Sequence, residues 1–131
     1  FWEMLNRLKQ QGITILVSTP YMDEAGMCGR VALMQNGEVL TIDSPEGVIN
    51  NFRLPLLAVK ANRMLPLLND LKAFDGSDNA YPFGEYHHVV LKEGTDPAVL
   101  ENYLRNHGHE SVTMTGIRPN IEDCFMALMR N

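Results

Sequence analysis

Apolar positions along the chain fall into two kinds of run, and their alternation predicts a mixed fold. In FWEMLNRLKQQ, Phe1, Leu5 and Leu8, with Trp2 and Met4, recur at helical spacing, and Gly12 stands where that helix needs a C-cap. Ile13 to Val17 is instead a continuous apolar, β-branched run, the pattern of a strand covered on both faces in a parallel sheet. Ser18 and Thr19 close the run in hydroxyls. Thr19 suits an N-cap, Pro20 the first helical position, and Asp23 and Glu24 the positive end of a helix dipole, so a short helix is expected next. Val31 to Met34 and Glu38 to Ile42 flank Gln35-Asn36-Gly37, and Asn-Gly is the strongest short hairpin signal. Ser44 as cap and Pro45 in the first turn predict a further helix, to about Asn51.

Phe52 to Pro55 reads as a linker, after which the pattern becomes regular. Strands are expected at 56–61, 79–83, 86–92 and 111–117, and helices at 63–73, 96–107 and 120–130. Met64, Leu65, Leu67, Leu68 and Leu71 supply one helical stripe, with Pro66 tolerated in its first turn. Val99, Leu100, Tyr103 and Leu104 supply another, starting near Asp96-Pro97 and stopping at Gly108. Asn120 is a good cap for the last helix, with Ile121, Phe125, Leu128 and Met129 as its packing stripe. The βαββαβ order predicts a ferredoxin-like antiparallel sheet covered by helices on one face, closed by the terminal helix. The expected class is therefore α/β for residues 1–51 and α+β for 52–131.

Composition narrows the function. Of 131 residues, 45% are apolar, enough for an ordinary core, and the net charge of -5 argues against a nucleic-acid surface, which needs clustered cations. Cys28 and Cys124 lie far apart without CxxC spacing, which predicts two free thiols rather than zinc or a disulfide framework. No signal peptide is read, and no apolar run approaches the roughly 18 residues of a membrane span. The chain opens at Phe1 inside a helical pattern, so it is expected to be a piece of a longer protein.

Other candidate residues carry mostly structural readings. His87 and His88, adjacent on a strand, point to opposite faces and cannot jointly hold one metal; no metal site is assigned. His107 and His109 flank a helix-ending glycine and are expected to favour the negative helix end or to face water. Tyr81, Phe83 and Tyr86 could form a base-stacking platform, but only Lys92 lies near, so packing is the expected role. Asp23 and Glu24, as helix neighbours, are not spaced as an acid and base pair.

The ordered series strand, Ser18-Thr19, x, Tyr21-Met22-Asp23-Glu24-Ala25, Cys28, x, Arg30-Val31-Ala32-Leu33-Met34, then Asn36-Gly37-Glu38-Val39 and Ser44-Pro45-Glu46 resembles the last portion of the ATP-binding subunit of an ABC transporter. The ending Arg118-Pro119-Asn120-Ile121-Glu122-Asp123-Cys124-Phe125 is similar to the P-S/T-L-E-D-x-F close of drug and antibiotic-resistance exporters, whose nucleotide-binding core is followed by a small accessory domain. The resemblance implies residues 1–51 as the C-terminal remnant of a P-loop nucleotide-binding domain (helix, strand, helix, β-hairpin) and 52–131 as the accessory domain. It also implies ATP and Mg²⁺ in the intact parent, a membrane permease and a second ATP-binding subunit as partners, and the cytoplasmic face of the membrane as location.

In that family a histidine follows the Ser-Thr strand end and contacts the terminal phosphate of ATP. Here Pro20 occupies the place, so Ser18, Thr19 and Pro20 are expected near that phosphate, but proline offers no donor and no titratable group. Gly29 stands where an aspartate usually precedes the arginine, and Gly26 and Gly29 would each weaken a helix interior by about 1 kcal/mol. These 131 residues hold no GxxxxGK[ST] loop, so no catalytic residue is assigned and the fragment alone is not expected to hydrolyse nucleotide. The alternative expectation is a regulatory or dimerisation module binding a small ligand or partner subunit. Ile13 to Val17, without flanking strands, is expected to be covered by another copy of the chain or by domain swapping.

Overall fold

The structure is a computed structural model that describes residues 1–130. The chain is a mixed α and β protein with two antiparallel sheets, and it divides into two compact units. One comprises Phe1–Asn51 together with the segment from Asn120 onward; the other is Phe52–Pro119.

The first unit begins with helix α1, Trp2–Gln10, and Gly12 past its end has φ +90°. The following run differs from expectation: Ile13 to Val17 joins no sheet, and Leu16 is 97% exposed. A strand needs a neighbour for its backbone groups, and the described residues supply none here. Exposure nevertheless alternates from Ile15 to Pro20, with Ile15, Val17 and Thr19 half-buried and Leu16, Ser18 and Pro20 exposed. That period of two is the signature of extended backbone.

Helix α2 is the short stretch Met22–Ala25, capped at Tyr21 rather than at Thr19, so Pro20 is not its first residue. Gly26 is its C-cap and Gly29 lies beyond it, so neither glycine weakens a helix interior. Strands β1, Val31–Gln35, and β2, Glu38–Asp43, form the expected hairpin. Its turn has φ 53° at Asn36 and 77° at Gly37, the positive values that Asn-Gly supplies at least cost. Helix α3, Pro45–Asn50, is capped by Ser44, whose Oγ accepts the Gly47 N–H at 3.0 Å.

The second unit follows the expected order. Strands β3, Leu56–Lys60, β4, Ser77–Phe83, β5, Tyr86–Leu91, and β6, Thr113–Gly116, alternate with helices α4, Met64–Ala73, and α5, Pro97–Asn106. The strands lie in the order β4-β5-β3-β6, every neighbouring pair antiparallel. Register places Leu57 opposite Val89, so Leu57, Val59, Val89 and Leu91 share one face, which packs with Leu67, Leu71, Leu100 and Leu104 from the helices. His87 lies on that helix-covered side, its Nε2 donating to the Met64 carbonyl at 2.7 Å, while its Nδ1 is buried without a partner. His88 turns to the opposite face and stacks on Phe83, ring centres 4.2 Å apart. The strict alternation of a strand separates the two imidazoles.

Helix α6, Ile121–Met129, does not close the second segment as its place in the sequence predicts; it contacts α2 and α3 and belongs to the first unit. It starts with a capping box: Asn120 Oδ1 accepts the Asp123 N–H at 2.9 Å and Asp123 Oδ2 accepts the Asn120 N–H at 3.1 Å. Ile121, Asp123 and Cys124 are its buried residues, while Phe125, Leu128 and Met129 are only half-buried. The buried side lies at its first turn, where α2 and α3 meet it, rather than along the expected stripe. A second correction concerns His109, expected to favour the negative helix end or to face water: its side chain is buried and paired with Asp70.

Candidate functional site

The Ser18-Thr19-Pro20 segment is positioned by one carboxylate. Glu24 lies in α2, five residues beyond Thr19, and its Oε1 accepts the Thr19 hydroxyl proton at 2.6 Å. Its other oxygen, Oε2, accepts the indole N–H of Trp2 at 3.2 Å, reaching the start of α1 across 22 positions. Thr19 Oγ1 in turn accepts the backbone N–H of Tyr21 at 3.0 Å. That bond tightens the backbone just before α2, a local side-chain turn of the kind threonine favours. Thr19 therefore shapes the entry to the helix from outside its cap.

The chemistry of the segment follows from this wiring. A threonine hydroxyl has one proton to donate, and that of Thr19 is given to Glu24. Pro20 is exposed and has no N–H or side-chain donor. Ser18 is exposed on the outward side of the extended run. Among these three residues, Ser18 thus carries the one side-chain donor directed to solvent. The segment can supply a hydrogen bond to an anion, but it contains no group able to exchange a proton at neutral pH.

Two further contacts involve α2 and the residues just after it. Cys28 Sγ donates weakly to the Glu24 carbonyl at 3.8 Å, closing the short helix. The Lys9 ammonium lies 3.4 Å from where a Cβ at Gly29 would stand, so the position at which the resemblance expects an aspartate faces a cation of α1. Periodicity could not have found the roles of Glu24 and Trp2. Glu24 looks like an ordinary first-turn acid, and Trp2 like one more apolar helix residue; the nearest sequence hint is a hydroxyl followed by a carboxylate across a helix start.

The other candidates belong to the second unit. Tyr81 is buried, Phe83 is stacked on His88, and Tyr86 lies under the Lys60 ammonium, 5.6 Å from its ring centre. His107 Nδ1 is 2.7 Å from the Tyr103 carbonyl, at the end of α5, where the negative helix terminus suits an N–H donor. Tyr103 donates its hydroxyl to the Asp70 carbonyl at 2.9 Å. Burial, with Asp70 and Asp75 nearby, raises the Tyr103 hydroxyl above the usual tyrosine range.

No family model matches the chain. It is 30% identical, over 132 aligned residues, to the probable multidrug ABC transporter ATP-binding protein YbhF of Escherichia coli K12, and equally to the protein of that name in Shigella flexneri. The alignment covers 98% of this chain and 22% of each relative, so the chain spans about a fifth of the length of the curated relatives it matches. Nearly every residue described above therefore aligns with an ABC transporter ATP-binding protein, and the chain is a distant relative of one. No helix among the described residues is long and apolar enough to cross a membrane.

Proposed function

We propose that the chain is the C-terminal part of the ATP-binding subunit of an ABC exporter. The observation that carries this reading is the 30% identity to a multidrug ABC transporter ATP-binding protein across 98% of the chain. Residues 1–51 form the trailing end of a P-loop nucleotide-binding core, and residues 52–119 a ferredoxin-like accessory domain, a reading supported by the antiparallel β4-β5-β3-β6 order. In the parent, ATP with Mg²⁺ is held between two such subunits at the cytoplasmic face of the membrane, and its hydrolysis is coupled to export through a permease.

The residues present fit only the edge of such a site. Ser18 offers one hydroxyl to a terminal phosphate oxygen, and no glycine-rich loop with its lysine occurs in these residues to cradle the other phosphates. With Pro20 in the switch position, the segment contributes placement and one hydrogen bond rather than transition-state charge. Hydrolysis at this site is accordingly slow or dependent on the partner subunit.

A Ser18→Cys variant of the ATP-binding subunit containing this chain tests the placement, using an ATP analogue with a thiol-reactive group on its terminal phosphate. Labelling of the introduced thiol that excess ATP suppresses is the expected result. Labelling that ATP does not suppress, or none, would sink the reading. The isolated chain should show no micromolar affinity for ATP with Mg²⁺ in calorimetry.

A further inference from the structure

We propose that Glu24 is a positioning residue that decides which hydroxyl of the Ser18-Thr19 pair faces the nucleotide; this rests on the ATP-site reading above. The Glu24 carboxylate has two oxygens and two donors, the Thr19 hydroxyl at 2.6 Å and the Trp2 indole at 3.2 Å. Holding Thr19 inward uses its only proton, and the period of two in the extended run then turns Ser18 outward. Because Trp2 belongs to α1 and Glu24 to α2, the same carboxylate ties the segment to two helices. The segment is thus clamped from one side only, with Leu16, Ser18 and Pro20 left on the open side. A carboxylate beside a phosphate would repel it, and here both Glu24 oxygens are engaged, by the Thr19 hydroxyl and the Trp2 indole. Glu24 acts through Thr19 and does not itself touch the nucleotide.

The first arm of the test needs no nucleotide. The chain has one tryptophan, so its indole N–H gives a single, assignable resonance in a ¹H–¹⁵N spectrum. Glu24→Gln keeps the shape but leaves one acceptor oxygen in place of two, so either the indole resonance or those of Thr19 and Tyr21 must move. Thr19→Val should shift the Tyr21 amide and speed its exchange while leaving the indole bonded. Trp2→Phe, a milder change, should leave the Thr19 and Tyr21 amides in place. If Glu24→Gln moves none of these signals, the clamp does not exist.

The second arm reads its use in the ATP-hydrolysing subunit that contains this chain. Ser18→Ala should lower kcat by ~10-fold or more, the loss of one hydrogen bond to a charged group, and Thr19→Val should lower it by less, to about the extent of Glu24→Gln, since both break the same clamp. Glu24→Gln should lower kcat with little change in KM for ATP, the split expected when a contact is misplaced rather than removed. The reverse order, a costly Thr19→Val beside a neutral Ser18→Ala, overturns the assignment. Should the unaltered subunit neither bind nor hydrolyse ATP, the ATP reading falls, while the resonance arm still decides the role of Glu24.

Discussion

The Nε2 of His109 lies 2.6 Å from Asp70 Oδ2 and joins the loop after α5 to α4 across 39 positions. The His109 side chain is only 5% exposed, so its polar edge depends on this one carboxylate for a partner. Asp70 also offers its carbonyl to Tyr103, whose ring packs on Phe74 with centres 4.9 Å apart. One residue of α4 thus fastens two points of the α5 region.

Asp70→Ala should destabilise the second unit by about 2 kcal/mol, since it leaves a buried imidazole N–H unsatisfied. Urea unfolding followed by circular dichroism measures it. A loss below about 0.5 kcal/mol would mean that water replaces the carboxylate.

Asn120→Ala should remove the capping box of α6 and cost about 1 kcal/mol. Asn120→Asp or Asn120→Ser should retain most of the stability, because either side chain can still accept the Asp123 N–H. Comparing the denaturation midpoints of the three variants checks the ranking.

Burial, reinforced by Asp123, pushes the Cys124 thiol from 9.0 up to about 11. The folded state therefore holds this proton more tightly than the unfolded state. Its contribution to stability is fully present below pH 9.0 and is lost as pH rises towards about 11. Cys124→Ala should flatten the decline in stability over that window. A thiol reagent at pH 8 should modify half-buried Cys28 well before Cys124, with the order read by mass spectrometry.

Pro20→His tests the switch position. Pro20 is exposed and outside α2, so its loss should cost no more than about 1 kcal/mol, chiefly by freeing the unfolded chain. In the ATP-binding subunit proposed above to contain this chain, the new imidazole should raise the hydrolysis rate. An unchanged rate with unchanged nucleotide affinity would show that position 20 does not face the phosphate.

Several elements were legible from local pattern. The stripes containing Leu67 and Leu71 and containing Leu100 and Leu104 became α4 and α5, and Asn36-Gly37 became the hairpin turn. Ser44 and Asn120 became caps because a cap's partner lies only three residues away. The candidate segment was legible only in composition. Its hydroxyls were visible, but not that Thr19 would be turned inward while Ser18 stayed free.

The residue order alone determined where helices, strands and turns lie in 52–119, because hydrophobic period and turn chemistry act over a few neighbouring residues. Tertiary structure decided that Ile13 to Val17 finds no strand partner among the described residues, that α6 packs with α2 and α3, that Asp70 answers His109, and that Glu24 reaches Trp2. These outcomes depend on groups brought together across tens of positions, where local preference is silent and the requirement to satisfy each buried polar group chooses the partner.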